Sequence, residues 1–160
     1  MMTTDTVERL DEQFANFPIS RADSGASDEE IEEAAEQIGV QFSSDYIEFL
    51  RMYGGAIVGP YPVFGVRRVE IMDVDLWSVV AVTRHFRSQQ VPGCDGWAVI
   101  SEDHASNPVG LDRDGAIWIY DHDFGGITPL ARDFEEYVRV WCLKLPKEKS
   151  NADPAAPDIV

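Results

Sequence analysis

The chain has 160 residues, of which 44% are hydrophobic and 11% aromatic, and this length and composition predict one folded domain with its own core. Its 29 acidic and 13 basic side chains give a formal net charge of −16. Negative charge of this size disfavours direct binding to nucleic acid or anionic lipid and favours a basic protein partner, although it also keeps a protein soluble.

The two cysteines, Cys94 and Cys142, are too far apart for a CxxC or zinc motif, so we expect two reduced thiols. No apolar stretch resembles a secretory signal or approaches the roughly 18 residues of a membrane span. The sequence therefore predicts a cytoplasmic protein that binds no membrane.

Three amphipathic helices are predicted in the first third of the chain. An apolar stripe at helical spacing predicts the first over residues 5–16. The second begins at the capping box SDEE, whose first residue is Ser27, and ends at Gly39. The third starts near Ser43, Ser44 and Asp45 and ends at the glycine pair Gly54-Gly55.

The rest of the chain alternates between strand and helix patterns. Strands are predicted for AIVG, VFGVRRVEI, GWAVI, PVGLD and AIWIYD, and helices for DLWSVVAVTRHFRSQ, capped by Asp75, and for DFEEYVRVWCL. Helices grouped around an antiparallel sheet make an α+β fold. Both faces of AIWIY are apolar, which predicts a central strand covered on both sides. We expect a single domain over residues 1–145 and a disordered polar tail over residues 146–160.

The segment SNPVGLDRDGAIWIYDHDFGG contains residue types that bind metals or catalyse reactions. These are Asp112, Asp114, Asp121, His122 and Asp123, with His104 shortly before them. Their spacing fits neither an H-E-x-x-H motif nor a calcium loop, and the chain has no nucleophile or nucleotide-binding motif. An Asp-Gly pair between apolar runs is typical of a hairpin turn. We therefore expect no metal, no cofactor and no catalytic residue; a metal protein built on Asp112, Asp121, His104 and His122 stays as an alternative.

The four tryptophans are expected in the core, because each lies on an apolar stripe or strand. One or two of them are candidates to line an exposed groove instead. Which of them would do so cannot be read from the stripes alone.

Three pieces of the chain match a known family in order and spacing. The first is EEIEEAAEQIGVQFSSDYIEFLRMYGG, the second is WAVI followed by NPVGLDRDGAIWIYDHD, and the third is TPLARDFEEYV. Together they resemble the SMI1/KNR4 family, also called the SUKH superfamily, over about residues 25–143. Pro108 departs from the Gly-Asn step of many relatives, which affects the local turn.

The resemblance implies an α+β fold with a curved antiparallel sheet and helices packed around it, and a non-catalytic protein. Bacterial members resemble immunity proteins of polymorphic toxin systems, including contact-dependent and type VI-delivered toxins, which bind and block a cognate toxin. That toxin is often a nuclease or another nucleic-acid-directed enzyme. Fungal members resemble regulatory or scaffold proteins, which is the alternative function. Whether the protein is a monomer or a weak dimer stays open.

An inhibitor that fills the basic groove of a nucleic-acid enzyme has to imitate a polyanion, which fits the acidity of this chain. We therefore predict that acidic and aromatic residues contact the toxin. On the strand segment and near it these are Asp112, Asp114, Asp121, Asp123 and Tyr61. A second candidate face on the acidic helix consists of Glu29, Glu32, Glu33 and Glu36.

Overall fold

Helices surround two antiparallel sheets in the computed structural model, which describes residues 1–147. In this part of the chain the helices are α1 (Thr4–Asn16), α2 (Asp28–Ile38), α3 (Ser44–Tyr53), α4 (Val79–Ser88) and α5 (Phe134–Glu136), the last continuing as a π-helix over Tyr137–Cys142. The strands are β1 (Ala56–Val58), β2 (Tyr61–Val63), β3 (Ala98–Glu102), β4 (Pro108–Leu111), β5 (Ile117–Asp121) and β6 (Gly126–Ala131). The predicted tail falls almost wholly outside the described residues.

The larger sheet is an antiparallel meander of four strands in the order β3-β4-β5-β6, and β1 pairs with β2 in a separate hairpin. The backbone N–H of Phe64 donates to the carbonyl of Ile100 at 2.8 Å, which joins that hairpin to β3. The pairing register shifts between Val99 and Ser101 and again between Ile117 and Trp118. Such bulges locally bend the strand that carries them, here β3 and β5 or their partners. The predicted α+β fold is confirmed.

Local sequence chemistry determines the first three helices, as predicted. In α2, the Ser27 hydroxyl accepts from the backbone of Glu30 while the Glu30 carboxylate accepts from Ser27, so the capping box is complete. Gly39 and Gly54 end α2 and α3 with φ angles of 78° and 76°, in the left-handed region that suits glycine.

The prediction of a strand over VFGVRRVEI was wrong, because only its first residue, Val63, lies in a strand. The backbone N–H groups of Val66 and Arg67 both donate to the carbonyl of Gly54, at 2.9 and 3.0 Å. A side chain at Gly65 would collide with the same carbonyl, which its Cβ would approach to 2.0 Å. The segment therefore packs against the end of α3 instead of extending the sheet.

The predicted helix cap at Asp75 was also wrong, since α4 begins at Val79 with Ser78 as its N-cap. The Ser78 hydroxyl accepts from the backbone N–H of Ala81 at 3.0 Å. Upstream, the Asp73 carboxylate accepts from two backbone N–H groups and holds a separate turn. That turn delays the start of the helix by one turn.

Strand β6 was not predicted, because Pro129 and mostly exposed residues hide its pattern. It forms the edge of the sheet, which places β5 inside as expected. However, Trp118, Ile119 and Tyr120 are only half-buried. Because consecutive strand residues point to opposite faces, both faces of β5 are partly exposed, and the expectation that β5 is covered on both faces was wrong.

The last helix forms where predicted but widens after Glu136, as the N–H of Leu143 donates to the carbonyl five residues before it. The wider turn buries Cys142 and leaves Trp141 38% exposed. Helical spacing predicts Phe134, Tyr137, Val138 and Trp141 as the buried stripe of this helix; the first three are buried, and Cys142 is buried in place of Trp141.

The two ends of the described chain are held together by polar contacts. The Arg139 guanidinium donates to the Asp5 carboxylate at 2.8 Å and to the Thr6 hydroxyl at 2.9 Å. The backbone N–H of Thr3 donates to the Glu135 carboxylate. Helix α1 is therefore attached directly to the α5 and π-helical segment, more than a hundred residues later in sequence.

Candidate functional site

The predicted hairpin at Asp112 forms, and its aspartate is a structural residue of the turn. One carboxylate oxygen accepts from the backbone N–H groups of Asp114 and Ala116, at 2.8 and 3.0 Å. The other accepts from the indole Nε1–H of Trp118 at 2.8 Å. Asp112 thus fixes both the turn and the orientation of the tryptophan ring, whereas the Asp114 side chain is exposed.

The structure separates the four predicted aspartates into two groups. The turn with Asp112 and Asp114 precedes β5, and the turn with Asp121 and Asp123 follows it. Strand β5 has five residues at a rise of about 3.4 Å each, so the two turns lie at opposite ends of the sheet. Four steps of that rise separate the two turns by more than about 10 Å. All four aspartates can therefore contact the same partner only if its contact surface is at least that long.

Tyr61 belongs to the end of the sheet that holds Asp121. Its ring lies 4.9 Å from the His104 ring, and the Lys144 ammonium lies 5.0 Å from its centroid. His104 is in the β3–β4 loop, whose buried Asn107 accepts from the backbone of His122 at 3.0 Å. This end of the molecule is thus a packed set of turns.

The same end presents an aromatic side chain that the sequence did not single out. Phe124 is 90% exposed, although the Asp121 carboxylate accepts from its backbone and from that of Asp123 and so fixes the turn. Exposure of this kind depends on the turn geometry and has no signature in the sequence.

Helix α2 carries six carboxylates and no basic residue. Two of them are paired within residues 1–147: Asp28 with Arg51 at 2.5 Å and Glu30 with Arg67 at 2.6 Å. The four predicted as a contact face, Glu29, Glu32, Glu33 and Glu36, are all exposed, and none forms an ion pair with another described residue. The negative charge of this face is therefore directed at solvent.

An open pocket lies beside the turn of Asp112 and Asp114. Its lining consists of Gly93, Gly96, Trp97, Asp112, Arg113, Asp114, Trp118 and Ile127. The Trp97 ring is 5% exposed and lies between Gly93 and Gly110, where any Cβ atom would come within 2.6 Å of it. Ile127 is 44% exposed. The pocket thus has an apolar floor and a charged rim.

The C-terminal end of α2 and this pocket are neighbours. The Arg87 guanidinium donates to the carbonyl of Ile38 at 2.7 Å and also to the carbonyls of Cys94 and Trp97, at 2.8 and 3.2 Å. A Cβ atom at Gly115 would lie 3.4 Å from Ser43, just after α2. The C-terminal end of α2 therefore lies near the Asp112 turn, whereas Tyr61 lies at the other end of the sheet.

The tryptophans differ from the prediction that all four are core residues. Only Trp97 is buried, while Trp77 and Trp118 are half-buried and Trp141 is exposed. Of these, Trp118 lines the pocket as a groove residue. One or two tryptophans were expected in a groove, but the sequence did not single out Trp118, because its position depends on the edge strand β6 and on the bond to Asp112.

No reactive thiol or metal-binding cluster accompanies these surfaces in residues 1–147. Burial raises the pKa of the Cys94 thiol to about 11 and that of Cys142 to about 12, so both stay protonated near neutral pH. Within the same residues, no group of three or more His, Cys, Asp or Glu side chains is placed to hold a metal ion. His104 and His122 lie at the opposite end of β5 from Asp112, so the structure does not bring together the four residues of the alternative metal site.

Comparison with known families gives one result. The family described as SMI1-KNR4 cell-wall, a SUKH family, matches residues 3–143. This chain belongs to the SUKH family. A comparison with curated proteins gives no match.

The SUKH match extends the resemblance seen in the sequence, since it begins at residue 3 and so includes α1. That extension agrees with the contacts between α1 and the last helical segment, which make α1 part of the SUKH domain. In the part of the SUKH chain that the structure describes, no helix is both long and apolar enough to span a bilayer.

Proposed function

We propose that this SUKH protein is an immunity protein that binds a basic toxin domain and blocks it without catalysis. The observation that supports this most directly is the α2 face, whose four exposed glutamates form no ion pair with a described residue, on a helix whose C-terminal end lies near a pocket with an apolar floor. Interfaces of high affinity combine a few buried anchors with a charged rim, and unpaired charge accelerates the encounter with an oppositely charged partner. The α2 face would supply the charge, and the pocket near the C-terminal end of that helix would receive an anchor.

The proposed toxin is a nuclease or another enzyme of nucleic acid, because such enzymes have basic grooves. In this arrangement the α2 glutamates steer the toxin, and the Asp112 turn with its pocket supplies short-range contacts. The end of the sheet with Tyr61 and Asp121 lies too far from the pocket to belong to the same small contact area. Only a large partner would contact both ends.

Co-expression tests the function itself. A toxin encoded beside this gene is expressed with and without the protein, and we expect protection of the cells and a complex that co-purifies. If the neighbouring protein is not toxic and forms no complex, the proposal is wrong. A partner with a housekeeping role, recovered instead, would support the regulatory or scaffold alternative.

A charge-matched pair of variants tests the surface. Glu32→Gln with Glu36→Gln removes two charges one helical turn apart from α2, and Glu8→Gln with Glu12→Gln does the same on α1. We expect the α2 pair to lower the association rate severalfold at low salt and to lessen its salt dependence. Equal effects of the two pairs would show that net charge alone matters and that the α2 face is not the contact.

A further inference from the structure

We infer that the pocket beside Trp118 receives an arginine side chain of the protein partner. The identity of that partner rests on the proposed function. The preference of the pocket for a guanidinium group is a property of this chain alone, so it can be tested with a small probe.

The floor of the pocket suits a flat cationic group. The Trp118 indole is half-buried, and its orientation is fixed by the 2.8 Å bond from its Nε1–H to Asp112. Trp97 is immobilised between Gly93 and Gly110, and Ile127 borders the same space. A guanidinium plane stacks on an indole face through dispersion and the cation–π attraction, while the methylene groups of an arginine cover the remaining apolar atoms.

The rim supplies the opposite charge. Asp112 and Asp114 line the pocket together with one cation, Arg113, so the lining has a net negative charge. Asp112 already accepts three hydrogen bonds, whereas the exposed Asp114 carboxylate accepts none from another described residue, so Asp114 is the more available contact for a ligand. Within residues 1–147, neither Asp114 nor Arg113 takes part in an ion pair.

Arginine fits this arrangement better than lysine. Its planar fork can stack on Trp118 and donate to the Asp114 carboxylate at the same time, whereas an ammonium group is a strongly hydrated point charge. The surplus of negative charge on the chain as a whole, −16, also favours a basic partner, from which such an arginine would come.

The probe is N-acetyl-arginine amide, with the neutral citrulline and the lysine amides as comparisons. Titration into the ¹⁵N-labelled full chain is followed through the four indole Nε1–H resonances, and Trp118→Phe identifies the one from Trp118. We expect arginine amide to shift the Trp118 resonance saturably and to bind more tightly than the other two. No shift, or an equal affinity for citrulline or lysine, would overturn the inference.

Two exposed substitutions test the rim. Asp114→Asn should weaken arginine binding about two- to fivefold, the size of an exposed ion pair, and Glu8→Gln on α1 is the matched control, because Glu8 is an exposed acid outside the proposed contact. Arg113→Gln removes the competing cation and should tighten binding. If Asp114→Asn and Glu8→Gln have equal effects, Asp114 is not the contact. Because no toxin is used, failure here leaves the co-expression result standing, and failure of that experiment leaves this one standing.

Discussion

Gly110 lies in β4 against the Trp97 ring, and an alanine at this position has no room for its Cβ atom. The added atom would come to 2.4 Å from Cδ2 and Cε3 and 2.5 Å from Cγ of Trp97. Carbon atoms in contact prefer about 3.5–4.0 Å, so the ring has to move by more than 1 Å, the difference between the two. It cannot slide away along its own plane, because its far edge already meets Gly93.

We therefore expect Gly110→Ala to lower the free energy of unfolding by about 2 kcal/mol, within the range for overpacked cores. In a domain of this size, that corresponds to a melting temperature about 4–8 °C lower. Differential scanning calorimetry measures the shift, and near-ultraviolet circular dichroism reports the displaced tryptophan.

Gly126→Ala is the matched control. Gly126 also lies in a strand of this sheet, and a Cβ there meets no atom within 4 Å. Both variants gain about 0.5–1 kcal/mol from replacing a flexible glycine, but only Gly110→Ala introduces a collision. If the two variants melt within 1 °C of each other, an interval on the order of the calorimetric error, the packing argument is refuted.

Three further predictions concern stability, thiols and pH. Asp45→Ala should lower the free energy of unfolding, measured in urea, by about 2–4 kcal/mol, because this buried carboxylate accepts from the Ser43 hydroxyl and from the backbone N–H groups of Tyr46 and Glu135. Asp28→Ala, which removes only an exposed ion pair, should lower it by less than about 1 kcal/mol. Equal losses in the two variants would contradict this account. At about pH 8, iodoacetamide should label the two buried cysteines far more slowly in the native protein than in urea, and similar rates would show that the thiols are accessible. Burial raises the pKa of Tyr46, Tyr53 and Tyr137 above the unfolded value of about 10, so their contribution to stability should be complete below that pH and be lost as the pH rises above it. Above about pH 10, the native chain should therefore contain less tyrosinate, and absorb less at 295 nm, than the denatured chain. Equal absorbance of the two would contradict the burial of these tyrosines.

The sequence was sufficient where structure is determined locally. Ser27 with Glu30, Gly39 and the Asp-Gly turn each act within a few residues, so the helices α1 to α3 and the β4–β5 hairpin were predicted. The same holds for the acidic face of α2, because helical spacing alone separates its buried residues from its exposed ones.

The sequence was insufficient where a contact between residues far apart in the chain determines the local structure. The path after β2 depends on the carbonyl of Gly54, which accepts from two residues of a segment that otherwise has a strand pattern. The pocket depends on Gly93 and Gly110, which are far apart in sequence and enclose the same tryptophan ring.

The bond between Arg139 and Asp5 has a consequence for synthesis. A ribosome makes residue 5 well before residue 139, so α1 waits for this partner while more than a hundred intervening residues are synthesised. During that interval its apolar residues Leu10 and Phe14 have only part of their final neighbours, and contacts of such long sequence separation form slowly. The nascent chain is thus exposed to misfolding until its last helical turn emerges.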